Sequence, residues 1–284
     1  MENVVRKKKK ISVHQIILAI VIGILLFLAL FQLFIMLIKC VKSPSQEIAA
    51  PFTLTFPFRW KNFSDIWSKI DKSFLNTFII AIGTTFLLLL FSSFASYGLT
   101  RYRIPCKQFV VMMFLAVVMI PGVLTLIPQY QLVTVTYGLA NRYMGVILPV
   151  VAGQLPMAIF LLNGFFGGIE KEIFEAGTID GATNVRMYFE LSLPLSVPIL
   201  VTQGLMTFMG AYNDYLWPLL ILREESMRTT AVMLVYWTEE LFRTTMSMNV
   251  AIAGYVLASL PVLVLFSICS KQFVAGLTSG AVKM

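Results

Sequence analysis

The stretch EAGTIDGATNVRMYFELSLP, from Glu175 to Pro194, interrupts a chain that is otherwise strongly apolar. It forms most of the segment 167–197, which joins two long apolar runs. The segment is too long for a tight turn between helices, and its apolar residues recur too regularly for a flexible linker. The pattern therefore predicts a folded element between two apolar runs.

Two short helices are predicted within this segment. The pair Asp180 and Gly181 is expected to end the first helix and to cap the second. Pro194 is expected to close the second helix, because the residue before a proline is disfavoured in the helical region. The apolar residues at helical spacing are Ile169, Ile173 and Phe174 in the first helix, and Val185 and Phe189 in the second.

Short helices are marginal in water unless they pack against something. The predicted helix–turn–helix therefore needs a surface to receive its apolar residues. That surface is either another protein or the lipid surface on which the element rests. The residue pattern alone leaves both alternatives open.

The composition predicts a membrane protein. Of 284 residues, 58% are hydrophobic and 13% are charged, whereas soluble domains have about 45–50% and about 25%. Open sheets cannot survive in lipid, and no alternation typical of a barrel is present, so the apolar runs are expected to be helices. We predict an all-α integral membrane protein with six transmembrane helices, at 16–38, 78–95, 109–127, 144–166, 198–222 and 250–270.

The orientation of the chain depends on its positive charges. With the N terminus inside the cell, the inner segments hold 12 Lys and Arg residues and the outer segments hold 10. The cluster Arg6–Lys10 and the basic turn 101–107 favour this orientation, whereas Lys39 and Lys42 oppose it. We therefore predict a multi-pass protein of the cell membrane with both termini in the cytoplasm.

Several function classes lack the residues that they need. His14 is the only histidine, and Cys40, Cys106 and Cys269 match no metal-binding or redox spacing. No motif of a nucleotide-binding loop, zinc protease or serine hydrolase is present. The net charge of +8 comes without a basic helix, so we expect lipid and not nucleic acid as the anionic neighbour.

Aromatic residues mark the predicted outer segment 39–73. Trp60, Phe63 and Trp67 form a ridge if this part is helical. The ridge is expected to lie on the membrane or a partner, or to form part of an interfacial aromatic belt.

A few polar residues and prolines stand out within the apolar runs. An ionisable side chain in an apolar run is costly, so Asp214 is expected to face a cavity, a partner helix or the wet interface. Amide side chains in such runs bind a polar ligand or form hydrogen bonds between helices, and the second explains them at least as often. The polar residues are Asn213, Asp214, Gln154, Asn163 and Gln203, with Pro121, Pro128, Pro149 and Pro156 as possible breaks.

The stretch from Glu175 to Pro194 resembles the EAA motif of ABC importer permeases. Gly177 replaces the second alanine of that motif, and Leu191 stands where isoleucine is common. Further stretches are similar to the maltose-type, carbohydrate branch of the family. They are SFLNTFIIA at 73–81, SYGLTRYRIP at 96–105, AYNDYLWPL at 211–219 and GLTSGAVKM at 276–284.

This resemblance implies a type I ABC importer permease fold. The implied parts are a cytoplasmic tail at 1–15, a peripheral helix at 16–38, an extracytoplasmic loop at 39–73, a permease core at 74–270 and a cytoplasmic tail at 271–284.

The resemblance also implies a transport subunit that is not itself an enzyme. The polar residues and prolines named above are then candidates for its translocation pathway or gate, and the amides are candidates for contacts with sugar hydroxyls. Its partners would be a second permease subunit in a heterodimer, two ATPase subunits, an extracytoplasmic solute-binding protein and membrane lipid. ATP and magnesium would bind the ATPase, and no cofactor would bind this chain. The implied ATPase contacts are Glu172, Phe174, Glu175, Ala176, Gly177, Thr178, Asp180, Gly181, Ala182, Leu193 and Pro194.

Two alternatives remain at this point. One is a secondary transporter driven by an ion gradient, which usually shows internal repeats and several buried charges. The other is an ABC permease for a solute other than a sugar. The sequence does not identify the solute.

Overall fold

The computed structural model describes residues 13–281, with side chains through Val274, and every regular element in that range is a helix. The basic cluster Arg6–Lys10 and the stretch 276–284 lie outside the residues whose side chains are described. The predicted all-α membrane fold is confirmed. The main elements are α1 Val13–Lys39, α2 Pro44–Ala49, α3 Lys61–Arg101, α4 Lys107–Val118, α5 Gly122–Gln131, α6 Tyr143–Gly167, α7 Lys171–Ile179, α8 Asn184–Met187, α9 Leu193–Leu195, α10 Val197–Asn213, α11 Leu216–Ile221, α12 Thr230–Thr245 and α13 Asn249–Ala281.

Four of these helices, α1, α3, α6 and α13, are long and apolar enough to cross a membrane by themselves. Two bent pairs, Lys107–Val118 with Gly122–Thr136 and Asn184–Leu195 with Val197–Asn213, pass the same test together. The described part of the chain therefore offers up to six spans, the number predicted from the sequence.

The third span was predicted over 109–127, with Pro121 as a possible break, and the structure shows a sharply bent span here. Its two parts, Lys107–Val118 and Gly122–Thr136, meet at 90°. Pro121 is in an extended conformation at the junction (φ −60°, ψ 124°). Because proline also disfavours a helical conformation at Ile120, the chain breaks here. The break turns α5 away from α4.

The fifth span was predicted as one helix over 198–222, which is wrong. Helix α10 ends at Asn213, the next residue is extended, and α11 is a separate short helix. At its other end, α10 meets Asn184–Leu195 at 76°. Pro194 does not close the preceding helix as predicted, because a π-helical turn over Tyr188–Ser192 leads into α9 and the break comes at Ser196.

Helix α3 is the central element of the bundle. Its 41 residues give it a length of about 60 Å, twice the thickness of the hydrocarbon layer. It packs against α6, α10 and α13. Residues 61–73, which were predicted to lie in a loop, form its first turns. In contrast, α1 is exposed along most of its length, and Ile38 at its end is its buried residue.

Helix α12 was not predicted, because its residues are too polar for a membrane span. Its buried residues Met233 and Leu234 pack with Ile66 of α3 and Ala253 of α13. The helix therefore lies against the end of the bundle where α3 and α13 begin. Trp60 and Trp67 at this end are exposed. Their exposure agrees both with a ridge that lies on the membrane or a partner and with an interfacial aromatic belt.

Gly145 in α6 offers a test of this packing. A Cβ atom at Gly145 would lie 2.2 Å from the carbonyl oxygen of Leu139, whereas a Cβ at Gly164 in the same helix would meet nothing within 4 Å. We expect Gly145→Ala to destabilise the protein by about 1–3 kcal/mol, because a backbone oxygen cannot move aside cheaply. Gly164→Ala is expected to be neutral or slightly stabilising. Thermal unfolding in detergent measures both, and equal stability of the two variants would contradict the described packing.

Candidate functional site

Segment 167–197, called the knob from here on, contains the predicted helix–turn–helix. Helix α7 ends at Ile179 with Asp180 as its C-cap, and Gly181 adopts a left-handed conformation (φ +76°). The amides of Gly181 and Ala182 donate to the carbonyl oxygens of Thr178 and Gly177 at 3.1 and 2.9 Å. The turn therefore satisfies two of the carbonyl groups at the C-terminal end of the helix.

Helix α8 has its own cap. The side chain of Thr183 accepts a hydrogen bond of 3.3 Å from the amide of Arg186. The expectation that Asp180 and Gly181 end the first helix is confirmed. The expectation that they cap the second is wrong, because that place belongs to Thr183.

The inner face of the knob packs on its own chain. Phe174, Met187 and Tyr188 are buried together with Tyr97 of α3 and Phe166 of α6. Phe174 was predicted to contact an ATPase, but it is only 7% exposed. Its side chain is therefore not available to a partner on this surface.

Helix α3 holds the knob through residues spaced four apart, which therefore share one helical face. The hydroxyl groups of Ser93 and Tyr188 lie 2.7 Å apart. The hydroxyl of Tyr97 donates to the carbonyl oxygen of Asn184 at 2.9 Å. Both contacts fix α8 and the turn that follows it directly to α3.

Arg101 continues the same face of α3 and reaches the other helix of the knob. Its guanidinium carbon lies 3.2 Å from the ring centroid of Phe174. Its Nη2 atom donates to the carbonyl oxygen of Phe166 at 3.3 Å. The cation–π contact and the hydrogen bond together join α3, α6 and α7.

The outer face of the knob is acidic. Residues 167–197 include five Asp or Glu and two Lys or Arg residues. The remaining predicted contacts lie on or near this face. Glu172, Glu175, Ala176, Thr178, Asp180, Gly181 and Pro194 are exposed, and Gly177, Ala182 and Leu193 are half-buried.

A cavity of 760 Å³ lies beside the broken third span, and it is lined by α5, α6 and α10 among other elements. Two of the predicted polar candidates, Gln154 and Gln203, line it, and Gln129 is a third amide there. Pro121 does not line it, although the next residue, Gly122, does. The break at Pro121 thus places α5 on one side of the cavity.

Other pathway candidates have local structural partners. Asp214 is half-buried, and its Oδ1 accepts a hydrogen bond of 3.4 Å from the amide of Trp217, at the start of α11. Asn213 is exposed and donates to the carbonyl oxygen of Met209 at 2.9 Å. Neither lines the large cavity.

The remaining candidates lie at different places in the fold. Pro149 lines the cavity and Pro128 lies within α5. Pro156 is buried in α6, and Asn163 lies in a groove beside α4.

The sequence reasoning missed a polar clamp at the opposite end of α3. The side-chain amide of Asn76 donates to the carbonyl oxygens of Ser226 and Arg228 at 2.8 and 3.0 Å. The hydroxyl of Thr77 accepts a hydrogen bond of 2.8 Å from the amide of Thr230. Polar side chains in an apolar run need hydrogen-bond partners. The adjacent Asn76 and Thr77 could therefore have indicated this clamp from the sequence. Helix α3 thereby contacts both the knob and the linker before α12.

The apolar helices, with an acidic two-helix knob between two of the candidate spans, define a multi-pass membrane protein. Residues 89–279 match the family model described as the binding-protein-dependent transport system inner membrane component. The chain belongs to this family, and it is a permease subunit of an ABC transporter. It is thus a transport subunit and not an enzyme.

Named relatives cover nearly the whole chain. The melibiose/raffinose/stachyose import permease protein MelC of Bacillus subtilis (strain 168) is 30% identical over 270 residues, which cover 94% of this chain and 95% of that protein. The arabinooligosaccharides transport system permease protein AraQ of the same organism is 28% identical over 284 residues, with 98% and 99% covered. A crystallised bacterial ABC transporter that imports the acidic polysaccharide alginate contains a chain with a TM-score of 0.79 at 20% identity, with 94% of this chain and 99% of that chain covered.

These findings confirm the ABC permease fold and do not favour the secondary transporter. A permease of this family works with an ATPase and a solute-binding protein. Among the described residues, no three His, Cys, Asp or Glu side chains are grouped so that they could hold a metal ion.

Proposed function

We propose that this permease carries a carbohydrate and forms half of the translocation pathway, with a second permease subunit as the other half of a heterodimer. Relatives at 28% and 30% identity that span nearly the whole chain are named for oligosaccharide import. The carbohydrate is delivered by a solute-binding protein on the outer side of the membrane.

The knob docks into a separate ATPase subunit, which binds ATP and magnesium. The observation that carries this proposal is the acidic outer face of a knob whose inner face, with Phe174, Met187 and Tyr188, is already packed on its own chain. The cytoplasmic leaflet is itself negatively charged, so an acidic element is repelled from it and favours a basic protein surface. Ile179 and Val185, which are 86% and 67% exposed, supply apolar contact area for such a partner.

The mechanism follows from how the knob is held. When two ATPase subunits close on ATP, the knobs of the two permease subunits move with them. Because the knob is bonded to α3 as well as to its flanking helices, the helices move with it as a rigid body, and the pathway opens toward the outer side.

The proposal requires the knob and the turn that contains Cys106 to face the cytoplasm. Cys106 is exposed, whereas Cys40 is buried and burial raises the pKa of its thiol. In a variant that keeps Cys106 alone, a membrane-impermeant maleimide is expected to react only after the cells are permeabilised. Cys40 and Cys269 are replaced by serine for this experiment.

The matched control is Ser226→Cys in a cysteine-free background, since Ser226 is exposed at the other end of α3. It is expected to react in intact cells. The reverse pattern would place the knob outside the cell and contradict the proposal.

A further inference from the structure

We infer that the cavity between α5, α6 and α10 binds an uncharged sugar directly, through the amide side chains of Gln129, Gln154 and Gln203. This inference rests on the proposed function and adds a contact site and a substrate class to it. The cavity volume of 760 Å³ lies within the range of about 300–1,000 Å³ that is typical of small-molecule sites.

The three amides come from three different helices and converge on one space. Gln203 is 9% exposed, and its Nε2 donates to Thr207 at 3.4 Å, which is a long hydrogen bond. Within the part of the chain with described side chains, no side-chain hydrogen bond is found for the half-buried Gln129 and Gln154. Each amide offers two donors and an acceptor, and leaving them unpaired in an apolar span is costly. A ligand rich in hydroxyl groups would satisfy them.

The lining also indicates the charge of the ligand. None of the described residues around the cavity is Asp, Glu, Lys or Arg. A carboxylate or phosphate taken from water into such a space would lack a counter-charge, and that transfer is strongly unfavourable. Apolar side chains such as Leu148 and Met157 suit the C–H faces of a neutral sugar. The cavity therefore favours neutral over acidic saccharides.

The test uses proteoliposomes that contain the complete transporter, supplied with its solute-binding protein. Labelled raffinose, maltotriose and arabinotriose are the neutral probes, and trigalacturonate is the acidic probe. The quantity measured is the number of saccharide molecules transported per ATP hydrolysed. The wild-type complex is expected to transport at least one neutral probe, and to transport at least tenfold fewer molecules of trigalacturonate than of that probe per ATP hydrolysed.

Gln154→Met and Gln203→Met keep side-chain length and remove the amide. Each is expected to lower transport per ATP about tenfold, as the loss of one or two hydrogen bonds implies. The matched control is Gln131→Met, because Gln131 is exposed at the end of α5 and does not line the cavity. It is expected to stay within about twofold of wild type, as surface substitutions usually do. If Gln203→Met fails to assemble with the ATPase, Gln154→Met and the half-buried Gln129→Met decide the matter.

The possible failures are distinguishable. Unchanged transport per ATP in assembled Gln154→Met and Gln203→Met complexes would overturn the inference and leave the proposed function intact. Equal transport of trigalacturonate and the neutral probes would overturn the assigned substrate class. Absence of any saccharide transport by a wild-type complex that still hydrolyses ATP would instead contradict the proposed carbohydrate function.

Discussion

Gly181→Val is expected to reduce uptake to below about 1% of wild type while the protein remains in the membrane. Gly181 has a φ of +76°, and a β-branched residue pays about 1–3 kcal/mol for that conformation. The turn relieves this strain by changing the angle between α7 and α8. The outer face of the knob then no longer matches the ATPase, and the loss of a few kcal/mol at the centre of an interface is enough to abolish docking. Uptake, membrane content and co-purification of the ATPase measure the effect.

Gly181→Asn separates backbone strain from steric exclusion at the interface. Asparagine adopts the left-handed conformation at little cost, so this variant keeps the turn but adds a side chain to an exposed position. Uptake that recovers in Gly181→Asn indicates that the shape of the turn matters, and uptake that stays low indicates that the ATPase packs closely on this residue. Normal uptake and ATPase binding by Gly181→Val would contradict docking at the knob.

The charge of the knob adds an independent test of the same interface. Glu175 is exposed on α7, so Glu175→Lys reverses one of the charges of the proposed docking face without disturbing the core. We expect weaker retention of the ATPase, with a loss that shrinks as salt is raised. Glu239→Lys, an equal charge change on exposed α12, is the matched control and is expected to retain the ATPase.

Hydropathy and spacing predicted the elements whose existence depends on the length of apolar sequence. Helices α1, α3, α6 and α13 follow from runs long enough to span a bilayer. The turn at Asp180 and Gly181 follows from the conformational preferences of two residues. Both the length of an apolar run and the preferences of turn residues are local properties, so they can be predicted from the sequence alone.

Prolines marked the possible breaks in the sequence, but which of them bend the chain was not predictable in the same way, and neither was the polar clamp of Asn76 and Thr77. Pro121 and Pro156 both lie in apolar runs, yet only the chain at Pro121 bends sharply, while Pro156 is accommodated within α6. Which of these happens depends on neighbouring helices that re-satisfy the freed carbonyl groups. The burial of Phe174 likewise depends on Tyr97, which is distant in sequence. Both the bend at Pro121 and the burial of Phe174 therefore depend on contacts between residues that are distant in sequence.

Arg101 is expected to be the residue whose loss separates ATP hydrolysis from transport. It joins α3 to Phe174 of the knob and to the carbonyl oxygen of Phe166, so its contacts are on the buried side of the knob and not on the face proposed to dock. Arg101→Met keeps most of the apolar contact but removes the cation–π interaction and the hydrogen bond, which together contribute about 2–3 kcal/mol. The ATPase should therefore still bind and hydrolyse ATP, whereas transport per ATP should fall at least tenfold.

Arg103 provides the matched control, because it is exposed just beyond the end of α3 and Arg103→Met removes the same charge from the same turn. It is expected to transport normally. Arg101→Lys should fall between wild type and Arg101→Met, since lysine keeps the cation but not the planar group that stacks on a ring. If Arg101→Met lost ATPase binding and transport together, Arg101 would act on docking itself. Normal coupling in that variant would mean that the bonds from Ser93 and Tyr97, together with the flanking helices, are enough to move α3 with the knob.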